Sequence, residues 1–248
     1  RILNFFLNRK VSFNPDIIFC SGKRSYDYYK SKIIKSKLIK VSHHDYVKFL
    51  NSKKKETVEK KDKYAVLIKD IWPEVHPDTE KHYIYPREKI SKENKFNNIL
   101  NDFLNDFAKI SGYKIKIALH PRSNIDNFFD NNFQYYKNET SELILNSSFV
   151  ITGSSNALNL AVLSKKPILF YSYSGYTYNH KKNIISRSNF FSKNLLLIDK
   201  KKFTKTQLYE NEKINEELYN NYINEFIVET DCEFFKQKKF FDFYYENI

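Results

Sequence analysis

Two short stretches hold side chains suited to gripping an anion. His120-Pro121-Arg122-Ser123 follows the apolar run Lys114–Leu119, and Gly153-Ser154-Ser155-Asn156 follows the β-branched run Phe149–Thr152. An imidazole donates hydrogen bonds and carries charge near neutral pH. Serine hydroxyls and the N–H groups at a helix start are further donors. Gathered in one crevice, such donors hold a phosphate and stabilise it as it leaves, without a metal. The candidate phosphate-binding residues are therefore His120, Pro121, Arg122, Gly153, Ser154, Ser155 and Asn156. A third stretch suits proton transfer. The residues after Tyr64–Ile68 run Lys69-Asp70-Ile71-Trp72-Pro73-Glu74-Val75-His76-Pro77-Asp78. Asp70, His76 and Asp78 are the candidates to deprotonate an acceptor hydroxyl. Each stretch also has a plain structural account: a capped helix for the serines, a tight His-Pro turn, and turn caps for Asp70 and Asp78.

The elements that would position these residues read from period and punctuation. Phe149–Thr152 is short and apolar throughout, as in a strand buried on both faces of a parallel sheet. Gly153 breaks it, and Ser154, Ser155 and Asn156 are each good N-caps for a helix over 157–163. Lys165 and Lys166 suit the helix end, and Pro167 stops the helix before a strand over 168–171. Further strands are expected at 16–20, 38–42, Tyr64–Ile68, Lys114–Leu119, 133–136 and 195–199. Phe96, Ile99, Leu100, Phe103, Leu104, Phe107 and Ile110 recur at helical spacing, and Gly112 ends that helix. Thr140 or Ser141 is expected to cap a helix over 142–146, and 204–228 carries a helical pattern.

Alternating strands and helices predict an α/β fold with parallel sheets and crossover helices. The charge-dense stretch 51–63 reads as a linker between two lobes. The expected organisation is 1–50 as the C-terminal part of a first lobe, 51–63 as linker, 64–199 as a nucleotide-donor-binding lobe, and 200–248 as helices packing back across the lobes. In an open α/β sheet the loops at the carboxyl ends of strands form the ligand crevice.

The chain has 248 residues and a formal net charge of +13, which suits anionic partners. No RNA- or DNA-binding signature accompanies the charge, so nucleic acid is not an expected partner. The chain begins at Arg1 and has no Met, and so reads as a fragment with an incomplete first lobe, or as a chain missing its Met positions. Cys20 and Cys232 match no metal spacing and suit a reducing compartment. Adjacent His43 and His44 are expected to point different ways, so no metal site is expected there. No stretch approaches a transmembrane helix. A protein of this kind that met a membrane would lie on it, with 232–245, rich in Phe, Tyr and Lys, as one contact.

A strand ending in His120-Pro121, a strand ending before Ser154-Ser155, an Ala/Leu-rich helix and a Lys166-Pro167-Ile168 strand together resemble the second lobe of bacterial sialyltransferases and related capsule or lipooligosaccharide glycosyltransferases. The resemblance covers roughly residues 64–171. It implies the two-lobed GT-B fold, with two Rossmann-like lobes. It also implies a CMP-sugar or other nucleotide-sugar donor, whose phosphate is gripped by an HP motif at His120-Pro121 and an S/T motif at Ser154-Ser155. A glycan or lipid-linked glycan acceptor, no cofactor, no metal, and a cytoplasmic enzyme peripheral to the inner membrane complete the expectation. That family carries an acidic D/E-D/E-G motif in its first lobe, and this sequence has none. The base then lies in an absent N-terminal part or among Asp70, His76 and Asp78. Teichoic-acid glycerophosphotransferases, which use CDP-glycerol, have a similar His-Pro and Ser-Ser arrangement. The residues do not separate the two, and a lobe that binds nucleotide or glycan without catalysis is a third reading.

Overall fold

A computed structural model describes residues 15–32, 35–53, 63–69, 93–121 and 132–228. The chain divides into two compact units, Arg1–Val47 with Asn221–Ile248, and Lys48–Asn220. Asp70, His76, Asp78, Arg122, most of the expected linker and the 232–245 stretch lie outside the described residues.

In the first unit β1 (Ile17–Ser21) and β2 (Lys37–Val41) pair in parallel, Ile17 opposite Lys37 and Ser21 opposite Val41. The crossover is α1 (Gly22–Lys32). It begins on Gly22 at φ +69°, a conformation open to glycine. The lack of a side chain matters there, because a Cβ would come within 2.5 Å of the Glu225 carbonyl oxygen. That oxygen belongs to a π-helical turn, Ile223–Ile227. The Ile227 carbonyl also accepts from the His43 N–H at 2.7 Å, at the junction between β2 and α2 (His44–Lys53). The helix therefore opens at His44, two residues after the strand expected over 38–42.

The second unit is a six-stranded sheet in the order β5 (Gln134–Lys137), β4 (Lys114–Leu119), β3 (Tyr64–Ile68), β6 (Phe149–Thr152), β7 (Ile168–Ser172), β8 (Leu196–Leu197). Every neighbouring pair is parallel. This is the α/β architecture with parallel sheets that the alternation predicts. Strands β3, β6 and β7 are buried at every position, as a sheet covered on both faces requires.

The covering helices are α3 (Glu93–Ser111), α4 (Thr140–Asn146), α5 (Leu158–Leu163), α6 (Tyr178–Phe190), α7 (Lys205–Glu212) and α8 (Glu216–Tyr222). On α3 the stripe Phe96, Leu100, Phe103, Leu104 and Phe107 is buried. Each such side chain contributes about 1.5–3 kcal/mol. Differences in helix propensity are below about 1 kcal/mol per residue, so burial decides that this segment is a helix. Gly112, at φ +72°, ends α3 with its N–H on the Ala108 carbonyl at 2.8 Å. The cap of α4 differs from expectation: Glu139 holds the N-cap position and no side chain caps it.

Two buried phenols tie helices to the sheet, one from a strand and one to a loop. Tyr64 donates to the Leu143 carbonyl at 2.8 Å, and Tyr219 donates to the Lys166 carbonyl at 2.7 Å. Burial pushes both phenols well above their ordinary range. A raised acid pKa stabilises the fold fully below the unfolded value of about 10 and loses that contribution as pH rises beyond it, because the unfolded phenol ionises first. Tyr219→Phe should cost about 1–2 kcal/mol at neutral pH, since the Lys166 carbonyl loses its donor. It should also flatten the fall in stability above about pH 10. Denaturant unfolding at several pH values measures both, and an unchanged neutral midpoint would mean that the hydrogen bond contributes nothing.

Candidate functional site

The register aligns the carboxyl ends of the central strands. Ile68 lies opposite Ala118 on one side and Thr152 on the other, and Thr152 lies opposite Phe170. The chain therefore leaves β3 at Lys69, β4 at His120, β6 at Gly153 and β7 at Tyr173, all along one sheet edge. That edge is where open α/β sheets bind ligands. His120 is half-buried and Pro121 is exposed. Strands β4 and β6 flank β3, so their ends stand two strand spacings apart, about 10 Å. The residue that ends the strand between them is Lys69, which is only 3 % exposed and whose N–H donates to the Ala118 carbonyl at 3.0 Å. In the sequence Lys69 is marked only as the first residue after the apolar run Tyr64–Ile68.

The loop after β6 is shaped by one side chain. Arg187, on α6, donates through one terminal nitrogen to the carbonyls of Ser154 at 2.5 Å and Ser155 at 2.7 Å. Its other terminal nitrogen donates to Asn156 Oδ1 at 2.8 Å. In a trans peptide the C=O of one residue and the N–H of the next point in opposite directions. Two consecutive carbonyls turned toward the guanidinium therefore turn the N–H groups of Ser155 and Asn156 away from it. Successive N–H groups presented in this way suit an anion.

The helix start contributes differently from expectation. Ser154, Ser155 and Asn156 are not the N-cap of α5. Ala157 holds that position with φ −63° and ψ −6°, and no side chain caps it. The N–H groups of Leu158, Asn159 and Leu160 bond to the carbonyls of Ser155, Asn156 and Ala157, and the Ala157 N–H reaches Ser155 Oγ at 3.3 Å. Tight turns consume these donors because α5 is only six residues long. The anion-facing donors lie in the loop, one step earlier in the chain.

Ser154 Oγ meets His180, with Nε2 at 3.2 Å. His180 stands in the first turn of α6, where Thr177 Oγ1 accepts from the His180 N–H at 3.2 Å as the N-cap. The Tyr176 ring packs edge-on against the imidazole at 4.4 Å, and Tyr176 in turn packs with Tyr173 and Phe96. Ser174 bonds Asp199 through its N–H at 3.1 Å and through its hydroxyl, and Lys181 Nζ holds the Ser174 carbonyl at 2.6 Å. The loop after β7 is thereby pinned at Ser174 from two sides. His180 and Arg187 are seven residues apart, two helical turns on one face. Buried Ile184 lies between them on that face.

Two more polar atoms at this edge lack partners among the described residues. Thr152 Oγ1, at the end of β6, and Ser172 Oγ, at the end of β7, are buried with no hydrogen bond. Such orphans are uncommon, and an unseen ligand or water is one of the few reasons for them.

The first unit corrects the reading of the paired histidines. His43 closes the loop after β2 and His44 opens α2, so the chain turns between them. Both rings converge on Asp45 and lie 4.3 Å apart.

Arg187→Ala should remove charge-assisted bonds worth about 1.5–3 kcal/mol and speed amide exchange at Leu158 and Asn159, whose N–H groups bond to the Ser155 and Asn156 carbonyls. Arg187→Lys should restore little, because an ammonium lacks the planar fork. Wild-type stability and exchange in Arg187→Lys would show that the fork is not needed.

No protein-family model matches the sequence, and no curated protein matches it. Among solved structures, the Methanocaldococcus jannaschii UDP-GlcNAc 2-epimerase matches with a TM-score of 0.44 at 14% identity, over 84% of this chain and 60% of that one. Spinosyn forosaminyltransferase matches with a TM-score of 0.38 at 12% identity, over 84% of this chain and 47% of that one. The chain thus spans less than two thirds of the length of either structure. Among the described residues no helix is long and apolar enough to cross a membrane.

Proposed function

We propose that the protein is a nucleotide-sugar-dependent glycosyltransferase of the two-lobed GT-B kind, and that its Lys48–Asn220 unit grips the donor by its phosphate. The observation that carries this reading is the Arg187 guanidinium bound to two successive carbonyls of the loop after β6. A cation used to orient a backbone loop leaves that loop's N–H groups to another anion. The flanking side chains can add donors: Lys69 and His120 follow the neighbouring strands, and His180 touches Ser154.

The transfer needs little else. An acceptor hydroxyl attacks the anomeric carbon of the donor sugar, and the bond from that carbon to the phosphate oxygen breaks. Negative charge grows on the departing phosphate. The Ser155 and Asn156 N–H groups, the Ser154 hydroxyl, His180 and His120 are the donors that stabilise it. Asp70, His76 or Asp78 takes the proton from the acceptor. In this reading Arg187 is a positioning residue, while His120 and His180 touch the leaving group. The donor is a CMP- or other nucleotide-sugar and the acceptor a bacterial surface glycan. The net charge of +13 suits work beside an anionic inner-membrane surface.

A thermal-shift panel of CMP, CDP, UDP and GDP tests the binding, since a ligand of the folded state raises the melting temperature. His120→Ala and His180→Ala should each weaken the best nucleotide by about tenfold to a hundredfold while leaving the fold intact. Ser154→Ala should cost less, because the loop N–H groups remain. No stabilisation by any of the four nucleotides, or wild-type affinity and turnover in both histidine variants, would remove the phosphate-site reading. Stabilisation by CDP with transfer of a polyol phosphate rather than a sugar would redirect it to the glycerophosphotransferase class.

A further inference from the structure

His43, His44 and Asp45 are consecutive, yet they aim three ligand atoms at one point. His43 Nδ1 lies 3.2 Å from Asp45 Oδ2, and His44 Nε2 lies 3.1 Å from Asp45 Oδ1. The nearest ligand atoms of the three residues all lie within 4.8 Å of one another. A tetrahedral ion with ligands about 2.0–2.1 Å away holds them roughly 3.3 Å apart; each imidazole lies near that distance from one oxygen of the carboxylate, and a small turn of a ring closes the remaining edge.

The direction of one hydrogen bond adds to this. The Asp45 amide N–H points at His43 Nδ1 at 3.2 Å, which calls for a lone pair on that nitrogen. With that lone pair in place, Nδ1 and Oδ2 would be two acceptors facing each other at 3.2 Å, a contact that a cation between them relieves. Such a cation also takes over a lone pair that the amide holds only at the long end of hydrogen-bond range. Asp45 is 5 % exposed, so its carboxylate is fixed, while the His44 side chain is 67 % exposed and gives an ion a way in. The positive end of α2 opposes a cation here, and the Asp45 carboxylate in its first turn offsets that field.

We infer that His43, His44 and Asp45 form a binding site for a divalent transition-metal ion, with Zn2+ the best match. Two imidazole nitrogens and one carboxylate oxygen favour a borderline ion over Mg2+ or Ca2+, which take oxygen ligands. Three protein ligands leave the fourth position to water or to another ligand, as at zinc centres that are not purely structural. The site stands at the carboxyl end of β2 in the first unit and does not depend on the phosphate-binding reading.

The test is calorimetric titration of the full chain, stripped with chelator, with Zn2+, and with Co2+ as a visible-absorption probe. One ion should bind per chain, and Co2+ should give the d–d spectrum of a nitrogen- and oxygen-ligated site. His44→Ala removes an exposed ligand without threatening the fold and should weaken Zn2+ by about tenfold or more. His43→Ala should do the same, whereas His180→Ala in the other unit should not. Asp45→Asn is the weaker test, because the buried carboxylate also supports the fold. Three results would each overturn the inference: no Zn2+ bound by the wild type, equal binding by His44→Ala, or Mg2+ bound as tightly as Zn2+. The cluster would then be a hydrogen-bonded His–Asp–His arrangement only.

Discussion

Between the end of β6 and the start of α5 the chain crosses 153–156 without regular structure, and its peptide groups need partners. Arg187 supplies them. Its planar guanidinium spans two carbonyls and one side-chain amide oxygen, which a single-point donor cannot do. Holding a backbone segment in one conformation costs about 1–2 kcal/mol per residue in lost freedom. Three charge-assisted bonds are of the size needed to offset that cost over a few residues. The orientation that results is the one in which the loop's N–H groups face away from positive charge.

That guanidinium works only because the rest of the unit delivers it. Strands β3, β6 and β7 are buried at every position, so the sheet is a rigid platform and its loops collect at one edge. Helix α6 follows β7, and its N-cap at Thr177 fixes where its first turn begins. With that start set, the helical period puts His180 in the first turn and Arg187 two turns on, both facing the loop. Phe96, Tyr173 and Tyr176 pack beneath the same segment, which gives the imidazole an apolar wall as well as a polar partner.

The parts of this that the sequence discloses are those governed by burial. Tyr64–Ile68, Lys114–Leu119 and Phe149–Thr152 are strands at the residues where their apolar runs begin and end. The α3 stripe and its glycine stop are equally legible. Helices α2 and α6 are not, because they are rich in Asn, Ser, Lys and His and bury few side chains. The site follows the same division. Ser154 and Ser155 stand at the strand end where the pattern puts them, but His180 and Arg187 lie 26 and 33 residues from Ser154 on a helix with little apolar signal. The available hint was Thr177 three residues before His180, followed by Ile184 and Arg187 at helical spacing. The paired histidines failed for another reason. Side chains of adjacent residues diverge within one element, and His43 and His44 straddle two.

The two units use the same imidazole chemistry to opposite ends. In each, a histidine meets a residue that follows the carboxyl end of a parallel strand, and its neighbours decide what charge the place accepts. Around Ser154 the neighbours are a hydroxyl, backbone N–H groups and a guanidinium already committed to carbonyls, so His180 adds one more donor. Around Asp45 the central group is a buried carboxylate with two ring nitrogens on its oxygens and an amide N–H aimed at one of those nitrogens. There the ring nitrogens surround a negative group, and the place suits a cation. The strand end supplies the position in both cases. The sign of the ligand follows from whether the imidazole meets a serine hydroxyl or a buried aspartate, a distinction that fold alone does not make.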